Sequence, residues 1–141
     1  MSKKITDAMS RNPCAIDAQK PVAHAAKMMR DEDVGYAPIV DGMRLVGALT
    51  DRDIAVKVVA EGKDPEQTSV RDVASTDLIT VQPDADLDEA LQLMARHQVR
   101  RIPVVDDGLL VGVVAQADVA RIAKPKATGE VVEEISAPRG S

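Results

Sequence analysis

The sequence predicts an α/β (α+β) fold built from two copies of one β-α-β-β-α unit, and three observations carry that expectation. The two halves superpose at one constant offset without a gap. Pro38 falls on Pro103, Val40-Asp41 on Val105-Asp106, Leu45-Val46-Gly47 on Leu110-Val111-Gly112, and Asp53 on Asp118. Asp7, Ala25, Met29 and Val34 likewise meet Asp72, Ala90, Met94 and Val99. Within each half, short β-prone runs alternate with stretches of helical period. The length, 141 residues with 45% hydrophobic and 29% charged, suits one domain or two small halves sharing a core. A unit this small cannot bury its own apolar faces, so the copies are expected to pack together and their clefts to come in pairs.

The elements follow in order. Cys14 to Ile16 and, in the second copy, Leu78 to Val81 are short β-prone runs. A helix follows each, because Val22, Ala25, Ala26 and Met29 recur at helical spacing, as do Leu87, Ala90, Leu91 and Met94. Pro21 suits the first turn of the first helix, and Asp86 with Glu89 reads as a capping pair for the second. Ala37 to Val40 and Ile102 to Val105 are strands opened by a proline near their start, where a ladder donor is least missed. Asp41-Gly42 and Asp106-Asp107-Gly108 supply turns into the hairpin partners Leu45 to Leu49 and Leu109 to Val114. A second helix closes each copy, from Asp51 to about Glu61 and from Gln116 to about Ala123, with Gly62 and Pro125 as stops. The expected organisation is repeat 1 over 1–62, a polar connector over 63–69, repeat 2 over 70–124, and a flexible tail over 125–141 in which Val131, Val132 and Ile135 could form a short docking helix.

Composition narrows the function. A net charge of −5 and a single aromatic residue, Tyr36, argue against a nucleic-acid partner, whether by coating a duplex or by stacking bases. No apolar run is long enough to span a membrane. The opening Met1 to Asp7 has no apolar leader, and the lone Cys14 allows no internal disulfide, so a cytoplasmic location is expected. Cys14 reads as a small buried hydrophobe, and His24 and His97 as members of polar helix faces with no zinc spacing between them. Met28, Met29 and Met94 lie with the apolar stripes as core or interface filler. Neither a nucleophile triad nor a phosphate loop ending in Lys-Ser/Thr is evident, so no catalytic residues, no metal ligands and no enzyme activity are expected.

The sharpest local pattern is Gly47-Ala48-Leu49-Thr50-Asp51-Arg52-Asp53, where a strand runs into a helix. Thr50 and Asp53, three apart, can share one side of the first helical turn. A carboxylate and a hydroxyl there can hold the hydroxyls of a ribose, while nearby backbone donors and the positive helix end favour a phosphate. The same spacing is also a capping box. In the second copy, Gly112-Val113-Val114-Ala115-Gln116-Ala117-Asp118, the acid stays although the capping threonine is Ala115, which hints at work besides capping.

The ordered set of strand-helix-strand-strand-helix units, the Pro-Ile-Val-Asp and Pro-Val-Val-Asp strands and the Gly-x-x-Thr-x-x-Asp turn resembles a tandem pair of CBS domains, or Bateman module, from about Lys4 to Lys124. Leu49 to Ile54 and His97 to Arg101 are similar to stand-alone members of the hypoxic-response type. The resemblance implies a regulatory or sensor module that binds an adenosine compound (AMP, ADP, ATP or S-adenosylmethionine) in two clefts between the repeats, with no cofactor required. It implies Asp53 on the ribose of one cleft with Thr50 assisting at the phosphate, and Asp118 on the ribose of the other. Adenine would lie against the strand entries near Asn12 to Ile16 and Gly35 to Pro38 (Tyr36, Ala37 and Pro38 among them), or near Asp77 to Val81 and Arg101 to Pro103 (Ile102 among them), read mainly by backbone groups. Ala115 departs from the family pattern. Arg100, with Arg52 reaching across, would compensate at the Asp118 cleft, and Arg101 would serve the Asp53 cleft, since Gly35 brings no cation. The resemblance further implies a homodimer through helix faces, for which Val22, Ala26, Val58 and Val59 are candidates, and a stress-response role read out by a separate effector protein. The alternative is a ligand-free stress-response interaction protein with empty clefts.

Overall fold

The computed structural model describes residues 3–11 and 13–122. The expected stop at Pro125, the end of the last helix at Ala123, the tail helix and Asn12 lie outside the described residues. The described chain forms two compact units, each discontinuous in sequence: residues 13–78 with 108–110, and residues 3–11 with 79–107 and 111–122.

In the first of these units, β1 (Ile16–Asp17) runs parallel to β2 (Tyr36–Asp41), with Ile16 opposite Ile39. Next, β2 turns back into β3 (Arg44–Thr50), with Tyr36 opposite Thr50 and Ala37 opposite Leu49. Helix α1 (Val22–Glu32) covers this layer with Val22, Ala25 and Met29. The chain leaves β3 into α2 (Asp51–Ile54), which passes directly into a π-helical turn over Ala55–Val59. The expected single α-helix to about Glu61 is therefore an α turn followed by a wider one. A short helix α3 (Val70–Val73) completes the unit.

The other unit repeats the plan with α4 (Leu87–His97), β4 (Arg101–Asp106), β5 (Leu109–Ala115, from Val111 onward) and α5 (Gln116–Ile122), and β4 and β5 are hydrogen-bonded neighbours. Its core gathers Ile5, Leu87, Met94, Ile102, Val104, Val114 and Val119. Leu78 to Val81 does not form the expected strand. Only Val81 bridges to Val104, in the place where Ile16 meets Ile39 in the other copy. Helices α1 and α4 end alike, with Asp33 and Gln98 in the left-handed region donating N–H to the carbonyls of Met29 and Met94.

Two sequence expectations at the helix starts need correction. Pro21 sits at the N-cap of α1, one residue before the first turn. Asp86 is the N-cap of α4, but its side chain caps nothing; it accepts a 2.8 Å hydrogen bond from the Lys4 ammonium. A cation brought in by the chain's lead-in segment outcompetes the backbone amide.

That segment explains why residues 3–11 belong to the unit of the second copy. Residues 3–10 pack on the core of the second copy, and their repeat counterparts 68–75 pack on the core of the first. Ile5 N donates to the Ala85 carbonyl (2.8 Å) just as Val70 N donates to that of Lys20 (2.9 Å), and both side chains are fully buried. Ser10 bridges Val113 as Ser75 bridges Ala48. The crossing is close, and it accounts for the glycine of the Gly-x-x-Thr pattern. A β-carbon at Gly47 would lie 3.1 Å from the Ser75 carbonyl oxygen, and one at Gly112 only 2.7 Å from that of Ser10.

Candidate functional site

Each copy brings the start of its last helix against the start of its central strand. The amide of Asp51 donates to the Gly35 carbonyl (3.0 Å), and that of Gln116 to the Arg100 carbonyl (2.7 Å). These are the same bond at repeat-equivalent positions. It sets the Thr50–Asp53 turn beside Tyr36, Thr50's partner in the β2–β3 ladder, and it sets the Asp118 turn beside Arg100 and Arg101.

In the first copy the capping box is complete. Thr50 Oγ1 accepts from the Asp53 amide (3.1 Å), and Asp53 Oδ2 accepts from the Thr50 amide (2.9 Å). The other carboxylate oxygen, Oδ1, lies 3.2 Å from the Lys57 ammonium, which also donates to the Val73 carbonyl (3.1 Å). The Asp53 side chain is 19% exposed. A carboxylate has about four lone-pair directions, so two remain open after these contacts.

The second copy differs. Ala115 offers no hydroxyl, and Asp118 pairs through Oδ1 with Arg121 at 3.1 Å, with its side chain 29% exposed. The side-chain nitrogen of Gln116, Nε2, is buried with no hydrogen-bond partner among the described residues. A buried donor left unmet costs about 1–3 kcal/mol.

The remaining candidates divide by burial. Ile16, Ala37, Pro38, Val81, Ile102 and Pro103 are buried, so what they can offer a ligand is backbone edge rather than side chain. Tyr36 is half-buried. Arg52, Arg100 and Arg101 are exposed and make no ion pair among the described residues. Lys57 and Arg121 were missed by sequence reasoning, although their spacings from Asp53 and Asp118, i+4 and i+3, are legible as helical ion pairs.

Of the four residues considered for a helical interface, Val22 and Val58 are fully buried and belong to the core, whereas Ala26 and Val59 are exposed. Cys14 precedes β1 rather than lying in it. It takes a left-handed conformation, is half-buried, and sits 3.8 Å from Glu32 Oε1. Burial first, then the Glu32 carboxylate, holds the thiol pKa above its ordinary value. His24 and His97 are exposed. Among the described residues no three His, Cys, Asp or Glu side chains converge as metal ligands, and no helix is long and apolar enough to cross a membrane.

Comparison with known proteins places this geometry. CBS domains match residues 5–60 and 70–124. The CBS domain-containing protein YhcV of Bacillus subtilis is 42% identical over 82% of this chain and 82% of its own length. Hypoxic response protein 1 of Mycobacterium tuberculosis is 38% identical over 94% of this chain and 93% of its own. A crystal structure of Hypoxic Response Protein I, with two coordinated zinc ions, aligns with a TM-score of 0.78 at 37% identity, over 86% of this chain and 99% of that one. CBSX2 in complex with AMP aligns at 0.74 and 25% identity, over 84% and 93%. The CBS domain pair of protein MJ0100, in complex with 5-methylthioadenosine and S-adenosyl-L-methionine, aligns at 0.74 and 29%, over 85% and 98%. With both repeats matched across nearly all of the described residues, the chain belongs to the CBS-domain family.

Proposed function

We propose that the protein is a regulatory module whose two repeats, 1–62 and 70–124, each hold an adenosine nucleotide at the junction of central strand and closing helix. One observation carries the reading. The helix-start amides of Asp51 and Gln116 are fixed to the Gly35 and Arg100 carbonyls in both copies, and each holds an acid close to the strand start. Two lone-pair directions left on Asp53 suit the hydroxyls of a ribose. Asp118 serves the same role in the second copy. The guanidinium groups of Arg52, Arg100 and Arg101, which make no ion pair among the described residues, are available for phosphate oxygens, where a charge-assisted hydrogen bond contributes about 1.5–3 kcal/mol. Base recognition falls to the backbone near Ile16 and Tyr36–Pro38, and near Val81 and Ile102–Pro103. Structural relatives solved with AMP and with S-adenosyl-L-methionine support the ligand class.

The output is a population shift: ligand favours one arrangement of the protein, and a partner surface responds. A cytoplasmic, non-catalytic homodimer is part of this reading, with the exposed Ala26, Val56 and Val59 as its apolar contacts and a separate effector protein as reader. A second reading, an interaction protein without ligand, is favoured by the partners both acids already have, Lys57 and Arg121. Isothermal titration with AMP, ATP, S-adenosylmethionine and NAD separates the two. Saturable heat with an adenosine compound supports the sensor. No heat with any of them up to high-micromolar concentrations supports the ligand-free protein.

A further inference from the structure

The Lys57 ammonium is shared. It pairs with Asp53 Oδ1 at 3.2 Å and donates to the Val73 carbonyl at 3.1 Å. These partners belong to different parts of the first unit. Asp53 is the proposed ribose acid, and Val73 closes α3, within the lead-in segment that crosses Gly47 two residues later. That crossing is held by two backbone bonds, Ala48 N to Ser75 O (3.0 Å) and Ser75 N to Ala48 O (2.8 Å). The π-helical turn over Ala55–Val59 carries the lysine, and such insertions often mark functional positions in helices. In the second copy the residue equivalent to Lys57 is Ile122, which packs against the apolar core. The second copy's acid instead pairs with Arg121, on its own helix. Among the described residues, only the first copy has a side chain spanning its acid and its lead-in segment.

We propose that Lys57 is a positioning residue that couples occupancy at Asp53 to the 70–75 segment, making the first repeat the one whose occupancy is reported. The coupling rests on the nucleotide reading of Asp53 given above. Ribose hydroxyls approaching the carboxylate compete for Oδ1, and the ammonium then redistributes between Oδ1 and the Val73 carbonyl. The segment ending at Ser75 feels that change. Ile122 in the second copy transmits nothing of the kind.

The test is hydrogen exchange read by mass spectrometry on the full chain, comparing wild type, Lys57→Met and Lys57→Arg, each with and without saturating AMP, ATP or S-adenosylmethionine, with uptake followed by titration. Without nucleotide, amides over 70–75 exchange up to about fivefold faster in Lys57→Met than in wild type, the ceiling for a half-exposed ion pair. Lys57→Arg restores the slower exchange. With nucleotide, exchange over 70–75 changes in wild type and in Lys57→Arg but not in Lys57→Met, while peptides of the second copy respond equally in all three. Nucleotide uptake with a 70–75 response that survives in Lys57→Met overturns the coupling alone. A wild type that takes up none of AMP, ATP and S-adenosylmethionine overturns the reading of Asp53 and the coupling with it.

Discussion

The starts of α2 and α5 occupy the same place in the two copies, yet they hold their aspartates by different means. In the first copy Thr50 and Asp53 exchange hydrogen bonds, and Lys57 fixes the remaining carboxylate oxygen from one turn further on. In the second, Ala115 leaves the cap without a hydroxyl, Asp118 turns to Arg121, and the buried side-chain Nε2 of Gln116 has no partner among the described residues. The backbone bond that seats each helix start is common to both. The repeat thus keeps the position of the acid while the means of holding it diverges. The acid is tightly engaged where a cap exists, and looser beside an unmet donor where it does not.

The two lead-in crossings give the largest effect by which this comparison can be broken. Gly112→Ala would push a β-carbon to 2.7 Å from a backbone oxygen that cannot rotate away, whereas Gly47→Ala meets its nearest atoms at 3.1 Å. We expect Gly112→Ala to lower unfolding free energy by about 2 kcal/mol and Gly47→Ala by about 1 kcal/mol, the range for overpacking a close contact. Urea denaturation checks both. Equal, negligible losses would mean that the crossings tolerate a methyl group and that the glycines are there for another reason.

Exchanging the caps sharpens the comparison further. Thr50→Ala removes the hydroxyl that accepts from the Asp53 amide, and it should cost about 1 kcal/mol. The reverse change, Ala115→Thr, supplies the capping hydroxyl that the second helix start lacks and should add a few tenths to about 1 kcal/mol. A loss in both variants would show that the two helix starts are not equivalent.

The smallest effect concerns Cys14, which stands where the second copy has Ile79. Burial and the nearby Glu32 both favour the protonated thiol. The folded pKa is therefore raised above the unfolded one. The thiol's contribution to stability is complete below the unfolded value and is lost as pH rises through the folded value, in the alkaline range. At pH 7 iodoacetamide should modify Cys14 more slowly than a peptide thiol, and Glu32→Gln should speed that reaction by a few-fold. Modification as fast as the peptide's would contradict the assigned environment.

Much of this architecture was legible in the sequence, because β2 to β5, α1 and α4 each carry a periodic apolar pattern that appears twice at one offset. The turn holding Thr50 and Asp53 was legible for the same reason. The exchange of lead-in segments was not. Ile5 and Ala8, like Val70 and Val73, are too few to establish a period, and their burial is decided by cores distant in sequence. The run Leu78 to Val81 failed as a strand although its residues are β-prone, and only one of them finds a ladder partner. Asp86 looked like a cap because sequence spacing cannot show Lys4 arriving from 82 residues away. Lys57 and Arg121 stand at helical spacing from their acids, but cations at that spacing are common on exposed helix faces, so the spacing alone does not single them out.

The most direct measurement is the stoichiometry of nucleotide binding in wild type, Asp53→Ala and Asp118→Ala, by isothermal titration with the adenosine compound that binds wild type, each variant first shown to be folded by circular dichroism. If both acids grip ribose, wild type takes up two equivalents per chain and each variant one. Two equivalents retained in both variants would contradict the account and leave the aspartates as helix-start and ion-pair residues alone.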